Sequence, residues 1–221
     1  TKAGLRLGIL SGFALPGCSS VSMITSPPRR GTVTGVISPA NAPLAMAENI
    51  VINAKTQRPG VCNTAECLLI HKEWPHGAAL LQALQAKGVT LHSDAGGIQD
   101  FEAIGVQVQP FLNDLGFGHE YLSLDIGVRM VDNLDEAVKH ILEYGSKHSE
   151  AIITQNMPLA QKFIDALDSA AVFVNASTRF HDGGEFGLGA EVGIATGKLH
   201  VRGPMGLKDL TTTRYIAMGH G

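Results

Sequence analysis

Residues 133–175 read NLDEAVKHILEYGSKHSEAIITQNMPLAQKFIDALDSAAVFVN. Asn133 stands where a helix N-cap belongs, and Glu136 follows at the spacing of a capping box. The helix is expected to run to about Lys147, with Lys139 four residues after Asp135 on the same face. Residues 151–154 read as a buried strand, 158–167 as a helix and 171–175 as another buried strand. Helices alternating with short apolar strands imply βαβ units and a mostly parallel, helix-covered sheet, an α/β fold.

The same alternation extends upstream. Residues 44–55 place Leu44, Ala47, Ile50, Val51 and Ala54 on one helical face, and Pro59 ends that helix because the residue before a proline disfavours the α region. Residues 63–71 read as a resumed helix with Cys62 at or near its N-cap. Residues 77–87 read as a helix closed by Gly88. Strands are expected at 89–92, 105–111 and 120–131, and late strands at 199–202 and 211–217. Residues 1–46 form an atypical leader: the first acidic residue is Glu48, and five of the ten prolines lie ahead of it. No secondary structure is assigned to that leader. The chain then divides into a catalytic domain at 47–198 and a C-terminal segment at 199–221.

Composition narrows the function. The 221 residues are 44% hydrophobic and 17% charged, with a net charge of −3, so nothing points to nucleic acid or an anionic membrane. No apolar run is long enough to span a bilayer. Three cysteines without a C-x-x-C pair argue against a disulfide framework or a zinc knuckle, and fit a reducing, cytoplasmic setting. No metal site is expected.

Two segments carry chemistry. Gln57-Arg58-Pro59-Gly60-Val61-Cys62-Asn63 is a turn-rich stretch leading into an apolar run. A thiol where a loop opens into a helix is ionised by the exposed N–H groups, which makes Cys62 a candidate nucleophile and those N–H groups candidate oxyanion donors. The bland alternative is a small buried apolar residue. Cys67 reads as core. Ser177-Thr178-Arg179 follows a buried strand and suits a phosphate or carboxylate, or else is a hydroxyl turn with a surface arginine. The glycines at 183, 184, 187 and 189 allow close backbone approach or simply form a loop. His71, His92 and His181 are the choices for a Cys–His hydrolase, and no spacing selects among them.

Residues 53–63 (NAKTQRPGVCN), 120–124 (EYLSL), 149–154 (SEAIIT), 174–190 and 202–207 (RGPMGL), in that order, resemble the gamma-glutamyl phosphate reductase family of the aldehyde dehydrogenase superfamily. The resemblance covers about residues 47–218. It implies the superfamily's catalytic-domain fold and the NADPH-dependent reduction of L-glutamyl 5-phosphate to the semialdehyde in proline biosynthesis. Cys62 is then the nucleophile, Glu120 contacts the nicotinamide ribose, and Asn63, Ser177, Thr178 and Arg179 hold the small-molecule substrate. The C-terminal segment pairs with another subunit in a homo-oligomer.

One departure matters. Only 61 residues precede Cys62, where the family has a cofactor-binding region on the order of a domain in size. The expectation is that the main NADPH pocket and the upstream oxyanion asparagine are missing, with weak or no dehydrogenase activity from this chain alone. Two other readings stay open: a non-catalytic oligomerisation module, and a thiol hydrolase built on Cys62 and a histidine.

Overall fold

A computed structural model describes residues 32–37 and 42–220. Seven strands form one sheet in the order β4-β3-β5-β2-β1-β6-β7. They are β1 (Thr32–Ile37), β2 (Cys67–His71), β3 (Thr90–Ser93), β4 (Gln109–Pro110), β5 (Asp125–Val131), β6 (Gly145–Ile153) and β7 (Ala171–Val174). Every pairing is parallel. Five helices connect them: α1 (Leu44–Thr56), α2 (Gly77–Ala86), α3 (Ala95–Glu102), α4 (Leu134–Tyr144) and α5 (Met157–Ala166).

The core has two layers, one on each face of the sheet. Ile37, Leu68, Ile70 and Ile126 pack against Ala47, Val51, Leu80, Leu84 and Phe101 of α1, α2 and α3. Val36, Cys67, Leu69 and Ile152 pack against Ala137, Ile141, Ala160 and Phe163 of α4 and α5. Successive residues of β2 therefore serve opposite layers, and all five are buried.

This geometry corrects the helix expected at 63–71. A continuous apolar run does not distinguish a buried strand from a buried helix by period. Cys67-Leu68-Leu69-Ile70 has neighbouring strands on both sides, β1 and β5, so its backbone groups are satisfied across the sheet.

Other boundaries move as well. The expected strand at 105–111 contracts to Gln109–Pro110, and the one at 120–131 begins at Asp125. Helix α4 ends at Tyr144, and β6 begins at Gly145, well ahead of the expected start. The late strands at 199–202 and 211–217 are not formed. Gly193–Ala195 (β8) and Gly203–Met205 (β9) pair antiparallel instead, and residues 211–220 carry no regular element. The Asn133 cap is as expected: its side chain accepts the Glu136 N–H at 2.9 Å.

The leader is corrected where it is described. Thr32–Ile37 is not structureless but a central strand, hydrogen-bonded to β2 and β6. Residues 1–31 and 38–41, with Cys18 among them, lie outside the described residues.

Candidate active site

Cys62 lies between the end of α1 and the start of β2, in a loop at the amino ends of β2 and β5. No helix opens behind it, so the proposed activation by helical N–H groups is overturned. The side chain is exposed. Loss of water around the sulfur raises the thiol above its ordinary value. The carboxylates of Glu191 and Glu120 push the same way, while the Cys62 backbone N–H and the Arg179 guanidinium act against them. The balance favours the thiol over the thiolate.

Asn63 organises the loop. It is buried, donates from Nδ2 to the His181 carbonyl at 2.8 Å, and accepts from Nη1 of Arg179. Arg179 Nε donates in turn to Gln57 Oε1 at 3.1 Å. Thr64 Oγ1 closes the base of the loop on the Arg58 carbonyl at 2.7 Å. Asn63 is thereby brought together with Arg179 and His181. Ser177 caps the 3-10 turn Thr178–Phe180 by accepting the Arg179 N–H, and Thr178 Oγ1 is buried without a partner among the described residues. Asn53, Gln57, Arg179, Phe180 and Glu185 line an adjoining cleft of about 170 Å³.

The return of the chain explains how Arg179 arrives there. Asn175 takes the left-handed conformation (φ 53°) and exchanges two 2.8 Å hydrogen bonds with the backbone of Thr154. The chain then doubles back from the far end of β6 until His181 Nδ1 meets Ser149 Oγ at 2.6 Å. Ser149 Oγ also meets His148 Nδ1 at 2.7 Å. Burial lowers both imidazoles to about 4. In the glycine-rich loop, the Gly183 N–H donates to Glu191 at 2.9 Å, and a Cβ there would fall 2.5 Å from the Ala190 carbonyl. That close approach carries Glu191 toward the thiol.

Glu120 is half-buried on the segment before β5, near enough to influence Cys62. Its position depends on residues the sequence reading missed. Glu66 Oε2 accepts the Tyr121 N–H at 3.0 Å, and Lys55 Nζ lies 3.2 Å from Glu66 Oε1, with both side chains buried. Burial raises Glu66 to about 7 and lowers Lys55. Periodicity gave no sign of this pair, since α1 places a lysine where an apolar residue would fit.

Of the histidine choices, His181 reaches the site through its carbonyl but turns its ring to Ser149, and the other two lie elsewhere. His71 Nδ1 accepts from Glu73 at the far end of β2, and His92 bridges Pro110 and Asp125. Among the described residues no histidine is hydrogen-bonded to Cys62. Cys67 is core as expected, within β2, with its sulfur 3.4 Å from His140 and its thiol pushed far up by burial. Among the described residues no group of three His, Cys, Asp or Glu is arranged to hold a metal, and no helix is long and apolar enough to cross a membrane.

A parallel α/β sheet covered on both faces, with a thiol loop at the ends of its central strands, is the catalytic-domain fold of the aldehyde dehydrogenases. The probable aldehyde dehydrogenase of Listeria monocytogenes matches it with a TM-score of 0.63 over 86% of this chain and 51% of its own, at 15% identity, a likeness of fold alone. Gamma-glutamyl phosphate reductase is the more particular relative. The enzyme of Thermotoga maritima aligns with a TM-score of 0.74 and 42% identity, covering 86% of this chain and 46% of its own. That of Caldicellulosiruptor saccharolyticus is 53% identical over 183 residues, and that of Cutibacterium acnes 49%; each match spans 82% of this chain and 43% of the relative. The chain is thus homologous to gamma-glutamyl phosphate reductases over its matched residues, and spans less than half the length of those curated relatives. No protein-family model matches it.

Proposed function

We propose that this chain carries the nucleophilic half of a gamma-glutamyl phosphate reductase, acting on L-glutamyl 5-phosphate to give glutamate 5-semialdehyde. The observation that carries the reading is the Asn63 clamp. It sets the guanidinium of Arg179 beside the Cys62 loop across more than a hundred residues of sequence. Arg179 supplies a cationic surface for an anionic substrate end, whereas the Ser177 and Thr178 side chains are buried and support its turn instead of meeting the substrate.

The sulfur of Cys62, once deprotonated, attacks the acyl carbon. The carbon–sulfur bond forms, the carbon–oxygen bond to phosphate breaks, and phosphate leaves with the electron pair. Phosphate is a good leaving group, so the step needs no base to activate water. Glu120, half-buried on the segment before β5, would contact the nicotinamide ribose, and the chemistry NADPH would supply there is hydride for the acyl carbon. The chain's own residues hold the acyl group and order its anionic end.

The apolar side chains Leu199, Tyr215 and Met218 are almost fully exposed, which supports a subunit contact for the C-terminal segment. The reading also keeps the enzyme cytoplasmic.

The test is acylation. The chain is incubated with glutamyl 5-phosphate generated in place, and the mass of the Cys62 peptide is measured before and after hydroxylamine. A hydroxylamine-labile glutamyl adduct, absent from Cys62→Ser, is the expected result. No adduct on a folded chain overturns the assignment. Release of glutamate from that adduct in the absence of NADPH favours the thiol hydrolase instead.

A further inference from the structure

Four observations converge on the segment that carries Glu120. Lys55 closes α1 and is fully buried, with Nζ 3.2 Å from Glu66 Oε1. The other carboxylate oxygen of Glu66 accepts the Tyr121 N–H at 3.0 Å, and the Leu122 N–H also points to this carboxylate. Leu122 is held in the left-handed region (φ 55°), where a leucine side chain crowds its own backbone. The Leu122 carbonyl faces the Cys62 loop, where a Cβ on Gly60 would lie 3.7 Å from it.

We propose that Lys55 and Glu66 are positioning residues, a buried pair that holds residues 120–122 in a strained turn against the thiol loop and so fixes Glu120 beside Cys62. The logic is local. A left-handed leucine persists only where its surroundings over-determine it, and the Glu66 carboxylate is the acceptor for the two N–H groups of that turn. Lys55 keeps the carboxylate aimed. It reaches Glu66 from the last turn of α1, the helix that leads directly into the thiol loop. The Ala65 N–H bonded to the Ala54 carbonyl (3.1 Å) and the Glu66 N–H bonded to the Val33 carbonyl (2.9 Å) fix the backbone on which the pair is mounted. The Tyr121 ring, stacked on His92 with centroids 5.1 Å apart, anchors the other side of the turn.

The consequence for catalysis rests on reading Cys62 as the nucleophile. The measurement reads the thiol itself and needs no turnover, so failure here and failure of the acylation test are distinct results.

Peptide-resolved iodoacetamide labelling is followed at pH 8 in the whole chain, with buried Cys67 as the internal control for folding. Glu66→Ala frees the turn and lets Glu120 leave the sulfur. Labelling of Cys62 is expected to rise about threefold once the nearby carboxylate no longer disfavours the thiolate. Glu120→Gln is expected to give a similar rise, and the combined variant no further one. Glu66→Ala leaves Lys55 buried and unpaired, and labelling of Cys67 would report that it had not folded. In that event Lys55→Met/Glu66→Leu decides the matter, because an apolar pair of similar volume keeps the core filled while removing the acceptor. An unchanged Cys62 rate in a variant that still protects Cys67 overturns the proposal. So does a rise that adds to that of Glu120→Gln.

Discussion

Replacing His148 with glutamine should flatten the loss of stability in mild acid. His148 and His181 share Ser149 Oγ and are both buried, and among the described residues neither Nε2 has a hydrogen-bond partner. The ring centroids lie 4.8 Å apart. Burial lowers His148 from 6.5 to about 4, and lowers His181 likewise, with the neighbouring His148 adding to the effect. The sign follows from linkage. A depressed imidazole is neutral in the fold, so the folded state binds fewer protons than the unfolded one. Its stability is fully present above the unfolded value near 6.5 and is lost as pH falls toward 4. The shift amounts to roughly 3.4 kcal/mol at full extent and about 2 kcal/mol at pH 5. Glu66 and Glu150, whose carboxyls burial raises, act in the opposite sense, because the folded state holds their protons more tightly. They are common to both proteins and cancel in a comparison. Guanidinium denaturation at pH 7.5 and pH 5 supplies the four stabilities. The wild-type chain should lose about 2 kcal/mol more than His148→Gln across that interval, and somewhat more again because His181 is relieved of its neighbour. Equal losses, within about 0.5 kcal/mol, would refute the idea that these rings are held neutral by burial.

Three further predictions concern the site. Asn63→Ala leaves the His181 carbonyl and the Arg179 guanidinium without their partner, so thermal and denaturant melts should show about 2 kcal/mol of destabilisation; a change under about 0.5 kcal/mol means the clamp is decorative. The alkylation rate of Cys62 should rise with pH to a midpoint above that of a free cysteine, and Glu191→Gln should move the midpoint down; a midpoint near neutrality would contradict the carboxylate environment. Gly203→Ala meets a φ of 84° with His181 Nε2 3.4 Å from the new methyl, and should cost about 1–2 kcal/mol in the same melts; an unchanged midpoint would show that β9 is free to shift.

Much of the layering was legible in the chain. The Asn133 cap, the α1 face, the Gly88 stop and the apolar strands at 151–154 and 171–175 each follow from local rules of period and capping, and the α/β class follows from their alternation. The misread elements share a cause. Cys67-Leu68-Leu69-Ile70 is apolar throughout because β2 is covered on both faces, and such a run carries no period. Thr32–Ile37 is short and lies in a stretch of unusual composition, and its place between β2 and β6 is set by partners far along the chain. At 199–202 and 211–217, β-branched and apolar residues suggested strands, but β8 and β9 form elsewhere.

The site divides the same way. Cys62 and residues 177–179 stand out in the sequence as candidates because turn chemistry and side-chain type mark them, and Asn63 joins them through the family resemblance. The Lys55–Glu66 pair and the His148–Ser149–His181 link could not, because their partners come from separate elements and a buried charge has no local signature. The sequence by itself determined the alternation of helix and strand and the residue types available for chemistry, since both depend on neighbours within a few positions. Only the tertiary structure decided the protonation of the Cys62 thiol. That depends on water removed by packing and on the fields of Glu191, Glu120 and Arg179, which the fold brings to one loop from two distant parts of the chain.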